Sequence, residues 1–207
     1  MASALTYSSL LTDLQSYFER SDSPFIDQLP RFVMMAENRI SAEAKPLGFL
    51  RTVDSTLNGN TLVKPARWRR TKSMSIVVGG QRKFLKDREF EYCVSYWPDD
   101  AATAAPEFYA DMDYEHFFIA PTPNAAYPLR MQYYERPVPL DETNQTNWLT
   151  QYAPQVLLYA CLMEAAPWLK VSERLPEFQS LYQAALGAIT KEDSERLIDG
   201  SAFVKVQ

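Results

Sequence analysis

The stretch Pro154-Gln155-Val156-Leu157-Leu158-Tyr159-Ala160-Cys161-Leu162-Met163-Glu164-Ala165-Ala166 holds the most apolar run of the chain. Pro154 suits the first turn of a helix, where its missing N–H is no loss, and the pattern continues to about Lys170. Val156, Leu157, Leu158, Tyr159, Cys161, Leu162 and Met163 leave almost no polar face, so other elements must surround this helix. Glu164 interrupts the run, which is also shorter than the ~20 residues needed to cross a bilayer. The stretch therefore predicts the central helix of a packed helical unit.

Working outward, a lead-in at Trp148–Tyr152 precedes it. A last helix opens at Ser172, with Leu175, Phe178, Tyr182, Ala185 and Ile189 stepping by threes and fours as a packed seam does. Lys191 to Arg196 continues this helix as a solvated stretch, and Gly200 suits its stop. The final residues, Ser201-Ala202-Phe203-Val204-Lys205-Val206-Gln207, form a short extended tail rich in strand formers. At the other end, Thr6 caps a helix to Arg20 whose apolar face holds Tyr7, Leu10, Leu11, Leu14, Tyr17 and Phe18. Phe25, Leu29, Phe32, Val33, Ala36 and Ile40 mark a second helix. Pro30 either kinks it or lies at its start.

Between the helix pairs the period changes to that of strands. Arg51–Leu57 and Thr61–Lys64 flank Asn58-Gly59, a strong hairpin signal. Thr71–Val78 and Gln81–Leu85 flank Gly79-Gly80. A short helix over Asp87–Tyr96 and a small-residue loop from Asp99 to Ala105 follow. Strands are then expected at Glu107–Met112, Tyr114–Ile119 and Tyr127–Glu135, with a turn at Pro121-Thr122-Pro123-Asn124. The predicted fold is α+β: a four-helix layer made by the N- and C-terminal helix pairs, with an inserted antiparallel β-rich domain and a C-terminal extended tail. The expected divisions are 1–47, 48–145, 146–199 and 200–207.

Composition narrows the function. The chain has 207 residues, 2 Cys and one His, with a net charge of -5. Two cysteines make no disulfide framework, and both fall in apolar helix patterns that suit inert core thiols. One His cannot build a His-based metal cage. Glu37, Glu43 and Glu164 lie on helices that could face each other, but a carboxylate metal site in a bundle also draws histidines from those helices, and His116 lies in a strand. Surface pairing or capping suits these carboxylates better, and no cofactor is implied. A hydrolase around His116, with Asp113 or Glu115 beside it, lacks a nucleophile in a recognisable turn. A strand histidine with a hydrogen-bond partner is the simpler reading. No targeting segment precedes Thr6, so a soluble protein made in a reducing cytoplasm is expected.

Charge is unevenly distributed. Lys64 to Arg88 holds nine basic residues and one acid, a local +8, while the remainder carries -13. Asp99 to Glu115 holds six acids and no base. Three readings follow. The basic stretch, with Trp68 and Phe84 among its cations, could be a nucleic-acid-binding module. It could be a solvated hairpin. Or the basic patch Arg67, Arg69, Arg70, Lys72, Arg82 and Lys83 of one copy could meet the acidic patch Asp99, Asp100, Asp111 and Asp113 of the next.

Several segments together resemble a known family. They are Tyr7-x-x-Leu10 through Phe18, Pro24-Phe25-Ile26-Asp27-Gln28-Leu29-Pro30-Arg31-Phe32-Val33 on to Ala36-Glu37-Asn38-Arg39-Ile40, and Phe118-Ile119-Ala120-Pro121-Thr122-Pro123 with Tyr133-Tyr134 after it. The last runs from Trp148-Leu149 through Tyr152-Ala153-Pro154 to Glu164-Ala165. Their order resembles the head-to-tail adaptor (head-completion, connector) proteins of tailed bacteriophages, especially short-tailed ones, over about residues 6 to 195. The resemblance implies a non-enzymatic virion protein, assembled in the host bacterial cytoplasm without a membrane. It implies a ring of twelve copies beneath the portal protein that extends the DNA channel, helps retain the genome and offers a platform to tail or nozzle proteins. Genomic double-stranded DNA would pass close by. Phe203, Val204 and Val206 would be the portal-docking residues, joining by strand addition.

Overall fold

A computed structural model describes residues 5–199, the side chains of 197–199 excepted. In chain order the elements are α1 (Tyr7–Phe18), α2 (Ser23–Ile26), α3 (Leu29–Glu43), β1 (Leu50–Leu57), β2 (Thr61–Val63), β3 (Trp68–Val78), β4 (Gln81–Asp87), α4 (Phe90–Tyr96), β5 (Phe108–Asp111), β6 (His116–Ala120), β7 (Tyr127–Glu135), α5 (Trp148–Tyr152), α6 (Pro154–Leu169) and α7 (Leu175–Asp199). The described residues divide into two compact units, 5–49 with 136–199 and 50–135. Residues 136–147 group with the helices.

In the helical unit, α6 packs against α1, α3 and α7. Its Val156, Leu157, Ala160, Cys161 and Leu162 are buried, as its lack of a polar face requires. Glu164, the one charge in the run, pairs with Arg39 of α3, which also reaches Glu43. Caps set the helix starts. Thr6 Oγ1 accepts the Ser9 N–H at 3.1 Å, and Asn147 accepts from Leu149 and Thr150 ahead of α5. Each is a capping box that satisfies otherwise unpartnered N–H groups. Pro30 stands in the first turn of α3 and does not kink it. Residues 136–147 hold no helix or strand but are pinned. Gln145 accepts the Ser8 N–H and hydroxyl, and Glu37 accepts from Leu140 and Asn147.

The inserted unit is a seven-stranded sheet in the order β1-β7-β3-β4-β5-β6-β2. Two expectations fail here. The sheet is mixed, not antiparallel: β4 and β5 run parallel, joined by a crossover that contains α4. And Asn58-Gly59 closes no hairpin: β1 pairs with β7 over eight residues, β2 pairs with β6, and no ladder joins β1 to β2. The consecutive strands β1 and β2 stand at opposite edges. A flat sheet of this size would hold its edges about 29 Å apart at ~4.8 Å per strand. Four residue steps from Leu57 to Thr61 span at most about 14 Å. The sheet must curl into a half-barrel, and its concave side holds Leu57, Met74, Ile76, Leu85, Phe117 and Met131 as a core. On the opposite face of β5 and β6, Phe108, Ala110, Phe118 and Ala120 pack with Cys93 of α4. The alternation of strand side chains makes this two-sided burial possible.

Candidate functional site

Most of the charges singled out in the sequence have partners inside their own unit. Lys64 is the clearest case. Its side chain is 5% exposed and its Nζ lies 2.8 Å from Asp111. It also donates to the Asp113 carbonyl at 2.7 Å and sits 4.2 Å from the Trp68 ring and 4.8 Å from Phe117. Lys83 pairs with Glu107 at 3.1 Å, and Arg82 donates to Ser75 Oγ at 2.9 Å. Arg67 occupies the left-handed position of a turn, φ 54°, and donates to Glu135 at 2.7 Å. Arg51 meets the same carboxylate at 3.3 Å. Arg69 is half-buried and engaged. Arg70 and Lys72 are exposed on β3 beside two register shifts, bulges that re-aim side chains.

The acidic residues behave likewise. Asp99 accepts the Ala101 N–H at 2.9 Å and Asp100 accepts from Asn60 at 3.3 Å. Asp113 accepts the N–H groups of Glu115 and His116 at 2.7 Å, and these bonds hold its carboxyl below the usual range. His116 Nδ1 lies 3.0 Å from both Asp113 oxygens, so the strand histidine has its partner. The basic and acidic stretches thus meet within one chain, through Lys64–Asp111 and Lys83–Glu107. The cause is topological: β2 lies beside β6, and β4 beside β5, so the basic strands adjoin the acidic ones.

Lys64 carries a prediction. Lys64→Ala is expected to lower stability by about 2 kcal/mol, because it removes charge-assisted hydrogen bonds and a stem packed on two rings. Lys64→Met, which keeps the stem, should recover about half of that. Urea unfolding checks both; a Lys64→Ala protein as stable as the wild type would refute the assignment.

An aromatic face escaped the sequence reading. On α4, Tyr92 and Tyr96 stack at 6.2 Å with planes 7° apart, and both are exposed. Arg88 lies 5.7 Å from the Tyr92 ring and 5.8 Å from Phe108. Phe84, Val94, Met112 and Tyr114 are further exposed apolar side chains of the same unit. The signal was the Tyr-x-x-x-Tyr spacing around Cys93, which places both rings on one helix face. Tyrosine beside arginine is the composition of interface hot spots.

Glu37 is buried and hydrogen-bonded to Leu140 and Asn147, while Glu43 and Glu164 both meet Arg39. Cys93 and Cys161 are fully buried, and burial pushes both thiols up. Among the described residues no helix is long and apolar enough to cross a membrane. Phe203, Val204 and Val206 lie outside the described residues. What the geometry offers is recognition: exposed aromatics, a few open cations and a 25-residue helix, α7, whose fully buried side chains among those described are Phe178 and Tyr182.

A search of curated proteins finds no match. The family model described as SU10 adaptor protein matches residues 5–202, spanning both units. With that match lying over the helical unit and the inserted half-barrel alike, the chain belongs to the SU10 adaptor protein family, the structural, non-enzymatic head-to-tail adaptors of phage virions.

Proposed function

We propose that twelve copies of this protein form a ring beneath the portal of a tailed phage. The ring extends the DNA channel, helps retain the packaged genome and presents a platform to tail or nozzle proteins. The observation that carries this reading is a family match covering residues 5–202, so neither unit needs a separate role. The mostly exposed α7 supplies lateral surface for neighbouring copies, and Tyr92, Tyr96 and Arg88 supply anchors for a protein partner. Arg70 and Lys72 of the basic patch and Asp99 and Asp100 of the acidic one are exposed and supply contacts between copies. A net charge of -5 suits a channel through which DNA must slide, since a strongly basic wall would hold phosphates. The nucleic-acid-binding alternative keeps only part of its cations, because Lys64, Arg67, Arg82 and Lys83 are engaged within the chain.

Electron microscopy of the protein mixed with its portal tests the proposal. Twelve-fold density under the portal is expected. A protein that stays solitary beside the portal, or that is absent from the head-to-tail junction of mature particles, would overturn it.

A further inference from the structure

Tyr114 stands at the turn between β5 and β6 and is 79% exposed, more than any other large apolar residue described. Its side chain has no ring or hydrogen-bond partner among the described residues. Met112, two residues before it, is 47% exposed. Yet the backbone on both sides of this ring is held. Asp113 Oδ1 accepts the N–H groups of Glu115 and His116 at 2.7 Å. The Met112 N–H donates to the His116 carbonyl at 3.1 Å. Lys64, whose side chain is almost fully covered, ties the turn to the end of β2. Its N–H donates to the Glu115 carbonyl at 2.7 Å and its Nζ to the Asp113 carbonyl at 2.7 Å. An aromatic presented on a backbone already fixed loses little ordering entropy when a partner covers it. Such a ring is suited to be an interface anchor.

Charge says what the anchor meets. Asp111, Asp113 and Glu115 flank the ring in the sequence. Lys64 and His116 pair with the first two, which stay exposed, and the Glu115 carboxylate has no partner among the described residues. A tyrosine in an acidic collar complements an apolar pocket bordered by Lys or Arg. Two grooves of the inserted unit are of a size to receive a side chain, and neither has that character. The groove of about 530 Å³ between β1 and β2, with Val53, Leu62, Val63 and Met131 in its lining, contains no charged residue. The cleft beside α4 is lined by Asp87, Glu89, Glu91 and Asp111 against the single cation Arg88, and repels the collar. Neither groove of a second copy therefore matches the tip. We propose that the β5–β6 tip docks the inserted unit onto a different virion protein, with Tyr114 entering an apolar pocket bordered by Lys or Arg. The inference rests on the adaptor reading and states the kind of surface that one of the adaptor's partners presents.

The test uses the full chain in assembled particles. The photocrosslinker p-benzoyl-phenylalanine takes the place of Tyr114, the particles are irradiated, and the joined peptides are identified by mass spectrometry. The expected product links this chain to a different virion protein, inside an apolar pocket with Lys or Arg at its border. Its yield should be at least about tenfold above that of the same probe at Gln81, an exposed position beside the Gly79-Gly80 turn. Tyr114→Phe keeps the ring and should hold the infectious titre within about twofold, whereas Tyr114→Ala should lower it at least about tenfold with an unchanged urea midpoint. A crosslink only to a second copy overturns the inference. So does a crosslinked surface without a neighbouring cation, or a wild-type titre for Tyr114→Ala. Ring formation beneath the portal is scored by microscopy of the same particles. Rings without the crosslink sink this inference and leave the ring reading standing; particles that lack the chain altogether sink both.

Discussion

Gly48→Ala is expected to destabilise the protein by about 3 kcal/mol, an overpacking cost at the upper end of the usual range. A Cβ built on Gly48 would overlap the Trp148 indole. The ring has little room to retreat, because Phe49 packs edge-on against it at 5.3 Å and Tyr152 stacks on it at 5.9 Å. The turn is fixed as well: the Leu47 N–H donates to Asp193 of α7 at 2.8 Å, and Phe49 is buried. For a chain of this size the melting temperature should fall by about 6–12 °C. A thermal melt checks the size of the effect, and a double-mutant cycle checks its cause. In a Trp148→Leu background Gly48→Ala should cost less than about 1 kcal/mol, since the overlapping ring is gone. Equal costs in both backgrounds would show that the indole is not what excludes the methyl group.

Gly48 was not legible as a packing residue. Lys45-Pro46-Leu47-Gly48 reads locally as a segment end, which it is, but nothing near it announces a tryptophan one hundred residues further on. The same division between local and distant information runs through the fold. The helices were readable because apolar spacing is local: Leu10, Leu14 and Phe25 are buried where the period puts them, and α6 is central because it has no polar face. Thr6 and Pro30 mark helix starts by side-chain chemistry alone.

Strand pairing was less readable. Asn58-Gly59 favours a hairpin through turn geometry, yet β1 gains an eight-residue ladder with β7 and β2 gains its own with β6. The local turn preference does not by itself bring the two edge strands into a ladder, and the segment between them bridges the open side of the half-barrel. The parallel β4–β5 pair did leave a trace. A helix between two strands is the usual crossover of a parallel pair, and α4 stands there. The charge blocks were legible as blocks, but their partners depended on which strands became neighbours. Only after β2 is set beside β6 does Lys64 find Asp111.

Glu37 provides the second large effect, and it appears in the pH dependence of stability. The carboxylate is 6% exposed, and burial pushes its pKa up to about 7 from 4.5. The hydrogen bonds from the Leu140 N–H (3.2 Å) and Asn147 Nδ2 (2.7 Å) oppose that rise without cancelling it. Asn147 cannot turn its oxygen to Glu37 without giving up its cap on α5, so both neighbours remain donors. Because the folded pKa lies above the unfolded one, the group's stabilising contribution is complete below about pH 4.5. It is lost as pH rises toward 7, by about 3 kcal/mol in all. Glu37→Gln removes the titration. It also sets an NH2 group against one of the two donors, a cost of about 1–3 kcal/mol that does not vary with pH. The variant should therefore be clearly less stable than the wild type at pH 5 and should equal or exceed it at pH 8. Urea unfolding of both proteins at the two pH values isolates the group, since every other titration is common to them. A stability difference that stays constant from pH 5 to 8 would mean that Glu37 titrates as a solvated carboxylate, and that the clasp between α3 and residues 136–147 holds its charge without penalty.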